Sequence, residues 1–503
     1  MPEARLVIRG LAGAALLRFA LPFGVLAAGC TRAQPSACPA GTWRDDAGRC
    51  VPAEEAFVAP GGRVFWVDQR HPSASDANPG TRARPWRTIS RAAARGMLRP
   101  GDAVLIRSGV YREAIEPREG GTGPDRRVTY AAYPADTVVV TGADPLPGPW
   151  TRDGAAWRHA WTEPLLVYDP DPVFRREIVV ADGDVLRAVV HREDLRPGTF
   201  WVDGSAEAPR ALIVRFPGDR PPTAFRLLEA ARRPELFRPL GADPFPTCGD
   251  AGTPGWLRVV GLTFRHAANY AQNAAYCAGH EGGLVEDVTV EWANGRGMDG
   301  SGRGHVFRRF RADHNGQLGL GGSCDGCRFE DGALVSNNWK GYDPFWEAGG
   351  AKFTGTRYTV FRRLYVADND GPGLWLDGDN DRNTIEGCRV ERNAVAGIML
   401  ELNTTRTLVQ HNVVEGTRFV AWSGTGLLSQ AASENVFAHN TVRENEGSGL
   451  WLRLDPARRA PEGSNAVWNN LFAGNATHPA GEGREVMIEG ESPAHLRTNR
   501  FDG

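Results

Sequence analysis

The stretch Gly373-Leu-Trp-Leu-Asp377 and its near copy Gly397-Ile-Met-Leu-Glu401 decide the fold of this chain of 503 residues. Each starts with a glycine and continues with alternating apolar residues, which is typical of a short β-strand with one buried face. The pattern recurs at intervals of 22, 30, 24, 24, 29 and 23 residues, at Gly297, Gly319, Gly349, Gly373, Gly397, Gly426 and Gly449. A period of this length indicates a solenoid.

Asparagine-containing turns separate the repeated strands, with no helical pattern between them. They are Asp313-His-Asn315, Asn337-Asn338, Asp368-Asn369, Glu391-Arg-Asn393, Gln410-His-Asn412, Ala438-His-Asn440 and Asn469-Asn470. Asparagine tolerates a left-handed backbone and can stack in ladders. We therefore predict an all-β fold, with parallel β-helix repeats over residues 251–503. The spacing is similar to that of pectate-lyase-like proteins, which implies a single-stranded right-handed β-helix.

Two other regions precede the repeats. Residues 56–144 carry the segments Phe65-Trp-Val-Asp68, Asn78-Pro-Gly-Thr81, Pro85-Trp-Arg-Thr-Ile89, Pro100-Gly-Asp102 and Gly109-Val-Tyr-Arg-Glu113. This series resembles the N-terminal cap and first strands of extracellular β-helix proteins, with a short helix over residues 88–97. Residues 145–250 break the pattern with prolines, tryptophans and short alternating runs, so we predict an inserted small β-rich module.

Residues 1–30 are predicted to be a lipoprotein signal peptide. Arg5 and Arg9 precede an apolar stretch, and Ala-Ala-Gly-Cys, ending at Cys30, resembles a lipobox, whose cysteine becomes lipidated. Thr31 follows the cysteine, which favours the outer membrane; an ordinary signal peptide is the alternative. Residues 31–55 would form a tether. No later stretch has the roughly 20 apolar residues of a membrane span, so we expect membrane contact through the lipid anchor only.

The remaining seven of the eight cysteines cannot all pair. In an oxidising compartment Cys38 is expected to pair with Cys50, and Cys248 with Cys277. The pair Cys324 and Cys327 has CxxC spacing and could be a disulfide, two free thiols, or a zinc or redox site, although no second CxxC or histidine pair supports a metal. The seventh cysteine, Cys388, is predicted to be a buried free thiol.

Composition and charge exclude some partners. A formal charge of -2 and a pI of about 6.6 give no indication of nucleic-acid binding. We also expect the protein to be a monomer. The only lysines are Lys340 and Lys352, so nearly all basic residues are arginines. An ammonium can lose its proton when desolvated, whereas a guanidinium effectively cannot. Each lysine is therefore a candidate for a specific role.

Alternation along the strands predicts which side chains face outward. If Leu374 and Leu376 enter the core, Trp375 and Asp377 face out, and coils stack about 4.8 Å apart. One predicted column is Asp299, Gly321, Lys352, Trp375, Met399, Leu428 and Trp451. The other is Ser301, Ser323, Thr354, Asp377, Glu401, Gln430 and Arg453.

The two columns place two carboxylates side by side, Asp377 and Glu401. Like charges repel, so one carboxyl should have a raised pKa. A glycosidase needs such a pair, and a separation near 5 Å favours the retaining mechanism. Candidate substrate-binding residues around the pair are Trp346, Glu347, Trp375, Trp451, Gln430 and Arg453. The direction in which Glu347 faces is left open.

The strand ending in Asp377, followed one coil later by a strand ending in Glu401, resembles the β-helical β-xylosidase family of glycoside hydrolases. The resemblance covers about 60 residues and implies Asp377 as the nucleophile and Glu401 as the acid/base. The chain departs from the family pattern after both residues. Gly378-Asp-Asn-Asp381 follows the first, and Asn403-Thr-Thr405 replaces an expected His-Gly-Pro.

Two other functions stay open. A calcium-dependent polysaccharide lyase would use Lys352 as its base, in a resemblance to a β-helical pectate-lyase family. Its Ca²⁺ ligands would be Asp377, Asp379 and Asp381, with Asp343, Asp368 and Asp370 nearby. The second alternative is a non-catalytic surface lipoprotein that binds a glycan or a protein. The sequence favours a carbohydrate-active enzyme for a poly- or oligosaccharide, with no cofactor required for hydrolysis.

Overall fold

The computed structural model describes residues 6–7, 38–39, 41–45, 47–163, 177–205, 208–241, 248–453, 464–479, 484–489 and 500–502. Cys30 and nearly all of the predicted signal peptide lie outside these ranges. Over the described residues the α-helices are Ala53–Ala56 and Ile89–Ala93, and the 3-10 helices are Pro124–Arg126, Arg192–Asp194, Pro217–Asp219 and Pro222–Ala224. None of these is long and apolar enough to cross a membrane.

Three long sheets confirm the parallel β-solenoid. Sheet 1 contains Val64–Val67, Ala103–Ile106, Val128–Ala132, Leu257–Val260, Leu284–Glu286, Val306–Arg308, Arg328–Glu330, Val360–Arg362, Thr384–Glu386, Leu408–Gln410, Val436–Ala438, Ala466–Trp468 and Arg500–Asp502. Sheet 2 contains Gly109–Tyr111, Val138–Thr141, Leu262–Arg265, Thr289–Glu291, Arg311–Asp313, Ala333–Val335, Tyr365–Ala367, Arg389–Glu391, Val413–Glu415, Thr441–Arg443 and Leu471–Ala473. The third, here called the site sheet, contains Ala274–Cys277, Arg296–Asp299, Leu318–Gly322, Gly349–Phe353, Leu374–Asp377, Val395–Glu401, Gly424–Gln430, Leu450–Arg453 and Val486–Ile488, with Leu6–Val7 antiparallel at its end.

Inward side chains of the three sheets form one apolar core. Phe307, Phe329 and Phe361 occupy equivalent positions on successive coils, with ring centroids 5.1 and 5.3 Å apart. Burying each such ring contributes about 1.5–3 kcal/mol. The repeat therefore stabilises the fold coil by coil.

Buried asparagines form a ladder at the corner between sheet 2 and the site sheet. The backbone N–H of Asn337 donates to Asn369 Oδ1 at 2.9 Å, and that of Asn369 donates to Asn393 Oδ1 at 3.2 Å. The left-handed residue is the one before each ladder asparagine, such as Asp368 (φ 58°) and Arg392 (φ 50°). Asn338 (φ 67°) and Asn469 (φ 52°), in two of the predicted turns, adopt the left-handed conformation themselves, whereas the ladder asparagines do not.

The ladder explains the glycines that mark the repeat. A Cβ added at Gly373 would lie 2.9 Å from Asn393 Nδ2 and 3.0 Å from Val390 Cγ1. The same Cβ would lie 2.5 Å from the Gly397 carbonyl oxygen, so this position of the coil requires glycine; the register places Gly350, rather than the predicted Gly349, at the equivalent position.

Two small sheets form a module inserted in the β-helix. One contains Thr151–Asp153, Ala156–Ala160, Arg187–Ala188, Thr199–Gly204 and Pro209–Arg215, and the other Ala143–Pro145, Val179–Ala181, Asp184–Val185 and Leu228–Ala231. The chain rejoins the β-helix earlier than the predicted residue 250. Phe237 is fully buried there; its backbone forms β-bridges to Ile115 and Tyr276, and its ring stacks on that of Tyr276 with the centroids 5.1 Å apart.

Within the predicted tether, the described residues 41–45 and 47–55 are folded. Thr42–Arg44 pairs with Cys50–Pro52 in a hairpin. Trp43 of this hairpin lies 5.2 Å from the ring of Phe57, which packs on sheet 1 with the buried Ala53. The described part of this segment therefore covers one end of sheet 1.

The structure joins the cysteines in three pairs, Cys38–Cys50, Cys248–Cys277 and Cys324–Cys327. In the described residues no cluster of histidine, cysteine or acidic side chains could hold a metal ion, and the CxxC pair is a disulfide. Cys388 is a buried free thiol, and burial raises its pKa to about 12. Such a thiol is inert at neutral pH.

Candidate active site

The register of the site sheet reproduces the first predicted column in full and the second from Asp377 to Arg453, while Ser301, Ser323 and Thr354 lie just beyond the ends of their strands. Lys352 pairs with Trp375, and Asp377 pairs with Glu401 on the next coil. Gln430 and Arg453 extend the second column on the following two coils. Asp377, Glu401, Gln430 and Arg453 are each the last residue of their strand. The candidate site therefore lies along the carboxyl-terminal edge of this sheet.

A chain of charges fixes Asp377. Lys352 Nζ lies 2.9 Å from Asp377 Oδ2 and 3.0 Å from Glu347 Oε1. Arg296 contacts the other oxygen of Glu347 at 3.4 Å and Asp299 at 2.6 Å. Asp377 Oδ1 is buried and accepts no hydrogen bond from the described residues. One carboxylate oxygen is thus held by an ammonium while the other has no partner.

Two neutral side chains donate hydrogen bonds to Glu401. Trp375 Nε1 donates to Glu401 Oε2 at 3.1 Å, and Gln430 Nε2 donates to Glu401 Oε1 at 3.4 Å. Arg453 Nη1 donates to Gln430 Oε1 at 3.0 Å. Because the oxygen of the Gln430 amide already accepts from Arg453, its NH₂ group is directed at Glu401.

The structure corrects the prediction that Trp375 is part of a sugar-binding surface. Its side chain leaves the coil as predicted, but only 4% of it is exposed. The Lys352 ammonium lies 3.9 Å from the centre of its ring, and Met399 and Leu428 pack beside it. A sugar ring has no access to this indole, which serves instead to hold Lys352 and Glu401.

Two loops cover this apolar cluster, and the sequence interpretation missed their role. Phe345 and Trp422 come from loops before the site-sheet strands and stack on each other at 5.4 Å. The longer repeat intervals, 30 and 29 residues, are the ones that contain these loops. A longer repeat interval that contains an aromatic residue is the sequence signal that could have revealed these loops.

The other two tryptophans differ in exposure. Trp346 is 39% exposed and is the ring among the three that a sugar could reach. Trp451 is partly buried in the same cluster, and the Arg453 guanidinium lies 5.2 Å from its ring and 4.6 Å from that of Trp422. Sugar stacking at Trp451 is therefore not supported by its surroundings.

Glu347 and Arg296 complete the site. Glu347, whose direction the sequence left open, faces Lys352 from a loop residue with φ of 59°. Arg296 was not predicted. Arg296 directly precedes a repeat glycine, where other repeats carry an uncharged residue such as Leu318 or Pro372. A charged residue at this position was the sequence signal that could have identified it.

The predicted calcium ligands are not brought together, because each carboxylate has another partner. Asp377 binds Lys352, Asp379 accepts from Asn403 at 3.0 Å, and Asp381 pairs with Arg406 at 2.6 Å. Asp343 accepts from the backbone of Phe345, Asp368 binds Arg392 and Asp370 binds Arg418. Burial opposes ionisation of Asp381, but Arg406, Thr405 and Arg382 hold its pKa below the usual range. The Gly378-Asp-Asn-Asp381 stretch is a polar turn.

Comparison with known proteins agrees with the geometry of the coils. The family model described as "Right handed beta helix region" matches residues 259–426. These residues are a right-handed β-helix region. The β-helix is similar to the solved complex of XylC with xylose, with 17% identity and a TM-score of 0.63 over 87% of this chain and 82% of that one. At this identity the likeness shows the fold.

Other similarities are more distant or shorter. A double mutant of the periplasmic alginate epimerase AlgG aligns with a TM-score of 0.42 and 10% identity over 80% of this chain and 70% of that one. The uncharacterized protein YwoF of Bacillus subtilis (strain 168) is 34% identical over 71 residues. That match covers 14% of this chain and 14% of YwoF.

Proposed function

We propose that the protein is a carbohydrate-active enzyme, a retaining glycoside hydrolase with Asp377 as nucleophile and Glu401 as acid and base. The state of the Asp377 carboxylate carries the proposal. Lys352 fixes Oδ2, while Oδ1 is buried without a partner among the described residues. A nucleophile must be held in place and still keep one oxygen for the substrate carbon.

The described contacts of the two carboxylates suit different roles. The ammonium of Lys352 holds Asp377 in place, which a nucleophile requires. The indole of Trp375 and the amide of Gln430 donate to Glu401 and position its carboxyl group for the acid/base role. This assignment agrees with the β-xylosidase resemblance of the two strands.

The spacing of the coils supports retention of configuration. Register partners on adjacent coils are about 4.8 Å apart, and retaining enzymes hold their carboxyl groups about 5–5.5 Å apart. Asp377 would attack the anomeric carbon while Glu401 protonates the leaving oxygen, which breaks the glycosidic bond. Glu401 would then take a proton from water, whose oxygen displaces Asp377 and releases the sugar.

The lyase alternative has less support. Its base must be free to reach the substrate proton, whereas Lys352 Nζ is engaged by two carboxylates, Glu347 at 3.0 Å and Asp377 at 2.9 Å. Its cation needs clustered carboxylates, and Asp377, Asp379 and Asp381 each have a separate partner. The similarity to a protein solved with xylose makes xylo-oligosaccharides the first substrates to test.

We also propose that this reaction takes place outside the cytoplasm, on a lipoprotein of the outer membrane. The lipobox-like sequence at Cys30 supports an anchor. The three disulfides suit an oxidising compartment. Labelling of cells with a palmitate analogue tests the anchor, since Cys30→Ala should abolish the label.

The stereochemistry of the first product tests the mechanism. Proton NMR during hydrolysis of aryl xylosides, glucosides, galactosides and arabinosides should show the anomer of the substrate before mutarotation. Release of the opposite anomer would contradict the retaining mechanism. Glycan binding with no product from any substrate would instead support the non-catalytic binding protein.

A further inference from the structure

The loop of residues 339–348, here called the site loop, leads from sheet 2 into the site-sheet strand Gly349–Phe353. It carries Glu347, whose Oε1 lies 3.0 Å from Lys352 Nζ. The same ammonium contacts Asp377 at 2.9 Å, so the position of the site loop affects how the proposed nucleophile is held. Residues that hold this loop in place therefore bear on the candidate active site.

Lys340, near the start of the site loop, contacts two other parts of the chain. Its Nζ donates to the side-chain oxygen of Asn294, and to the backbone carbonyl oxygen of Glu177 at 3.4 Å. Asn294 is a fully buried residue of the β-helix, whereas Glu177 precedes the strand Val179–Ala181 of the inserted module. One ammonium thus joins the site loop to both the β-helix and the module.

The Glu177 carbonyl lies where the module packs on the β-helix. Glu177 is buried, and Ile178 and Val180, which follow it, are fully buried. These two residues form one apolar cluster with Ala231 of the module and Ala268 of the β-helix. The module therefore offers the site loop a hydrogen-bond acceptor that is fixed by packing.

The Asn294 amide connects Lys340 to the middle of the site loop. Because its oxygen accepts from Lys340, its NH₂ group is directed at the Tyr342 hydroxyl, 3.4 Å away, and at the Asn269 carbonyl oxygen, 2.7 Å away. Tyr342 is buried, and its backbone N–H donates to Asn338 Oδ1 at 2.8 Å. Lys340 thereby orients an amide that contacts a buried residue of the loop.

A hydrogen-bonded turn connects Tyr342 to Glu347. The Asp343 carboxylate accepts from the Phe345 N–H at 2.9 Å, and the Asp343 carbonyl oxygen accepts from the Trp346 N–H at 2.9 Å. Glu347 follows in a left-handed conformation, with φ of 59°. Because hydrogen bonds close this turn, a displacement of Tyr342 is expected to move Glu347 as well.

We propose that Lys340 is a positioning residue of the candidate active site, through which the inserted module keeps Glu347 against Lys352. This inference rests on the proposed glycoside hydrolase function. Without the Lys340 ammonium, the Asn294 amide is free to turn its oxygen toward the site loop, and the loop loses its contact with the module. Glu347 is then held less firmly, and so is the lysine that it shares with the proposed nucleophile.

A double-mutant cycle on the full-length chain tests the path from Lys340 to Glu347. With the aryl glycoside that the wild type cleaves fastest, Lys340→Met should lower kcat/KM about tenfold, because a small displacement near the reacting groups slows the reaction. In the Glu347→Gln background, the same substitution should change kcat/KM by less than about twofold, since the group that Lys340 positions is already altered. A purely structural role would give the same loss in both backgrounds.

Hydrogen exchange followed by mass spectrometry reports on the site loop without any substrate. Exchange in the peptide of residues 341–347 should be about tenfold faster in Lys340→Met than in the wild type. Arg112→Met is the matched control, because Arg112 also joins the β-helix to the module, with Nη1 2.5 Å from the Ala143 carbonyl oxygen and 2.5 Å from Glu229. This control should leave both the exchange of residues 341–347 and kcat/KM unchanged. Lys340→Arg keeps the positive charge and should recover part of both.

The outcomes separate this inference from the proposed function. Hydrolysis with unchanged exchange at residues 341–347 in Lys340→Met would overturn the positioning role alone, and so would a tenfold loss that persists in Glu347→Gln. Equal effects of Arg112→Met would attribute the change to a loosened module and would also overturn it. No hydrolysis by the wild type would overturn the proposed function, and the positioning role with it.

Discussion

Asp377 and Glu401 are register partners on adjacent coils; the Lys352 ammonium contacts the first, and the Trp375 indole and the Gln430 amide donate to the second. Trp375 links the two arrangements, because its ring lies against Lys352 while its N–H binds Glu401. One buried indole thus positions both the cation beside the proposed nucleophile and the proposed proton donor.

Replacing Lys352 with methionine should reduce both activity and stability. Asp377 and Glu347 would lose their shared cation, so we expect kcat/KM to fall about 100-fold or more. Breaking this buried pair should lower the free energy of unfolding by about 3 kcal/mol. Activity assays and urea unfolding measure the two effects.

The double variant Lys352→Met/Glu347→Gln separates these effects. Removing the second buried charge should restore part of the stability without restoring activity. Full activity in the single variant would show that Lys352 has no part in positioning Asp377.

Arg453 should act on Glu401 through Gln430. Without the guanidinium, the Gln430 amide can turn its oxygen toward Glu401, so Arg453→Met should lower kcat/KM about tenfold and shift the acid/base limb of the pH profile. Arg443→Met is the control, since Arg443 pairs with Glu415 on sheet 2. An unchanged pH profile in Arg453→Met would exclude this positioning role.

The asparagine ladder should be a main source of stability. Asn369→Ala removes the acceptor of the Asn337 N–H and three further hydrogen bonds inside the core. Leaving buried donors unpaired should lower the free energy of unfolding by about 2–4 kcal/mol. Urea unfolding should show almost no change for Asn273→Ala on the exposed surface, and equal effects would contradict the ladder's role.

His305 should make stability depend on pH. The Gly283 N–H donates to its Nδ1 at 2.9 Å, and its Nε2 lies 3.0 Å from the Ser301 carbonyl, so the neutral ring has its proton on Nε2. Burial lowers the pKa of His305 from 6.5 to about 4. The unfolded chain binds the extra proton first, so stability is complete above pH 6.5 and declines as the pH falls toward 4.

This decline should amount to about 2–3 kcal/mol from His305. The free energy of unfolding, measured from pH 7 to pH 4 in the wild type and in His305→Gln, gives its share by difference. Equal slopes for the two proteins would show that His305 does not contribute.

The repeat and its outward columns could be predicted from the sequence, because strand alternation and coil spacing are local rules. The pairing of Asp377 with Glu401 follows from those two rules alone. The sequence also identified the two lysines as candidates for specific roles. Lys352 joins two carboxylates, and Lys340 donates to Asn294 and to the Glu177 carbonyl of the inserted module.

The surroundings of the columns could not be predicted in the same way. Whether Trp375 is open or covered depends on loops that contribute Phe345 and Trp422, and loop conformation has no period. The contact of Arg296 with Glu347 joins residues 51 positions apart through a loop. The position of the Trp43 hairpin on sheet 1 likewise depends on tertiary packing.

The most direct test of the account compares Asp377→Asn and Glu401→Gln with Asp379→Asn, in hydrolysis of the glycoside that the wild type cleaves fastest. Asp379 is two residues from Asp377 but lies on the turn and binds Asn403, so it serves as a matched carboxylate. We predict a loss of kcat/KM of at least about 1,000-fold in the first two variants, with near wild-type activity in Asp379→Asn. Unchanged hydrolysis in Asp377→Asn, with its fold intact by circular dichroism, would contradict the central claim.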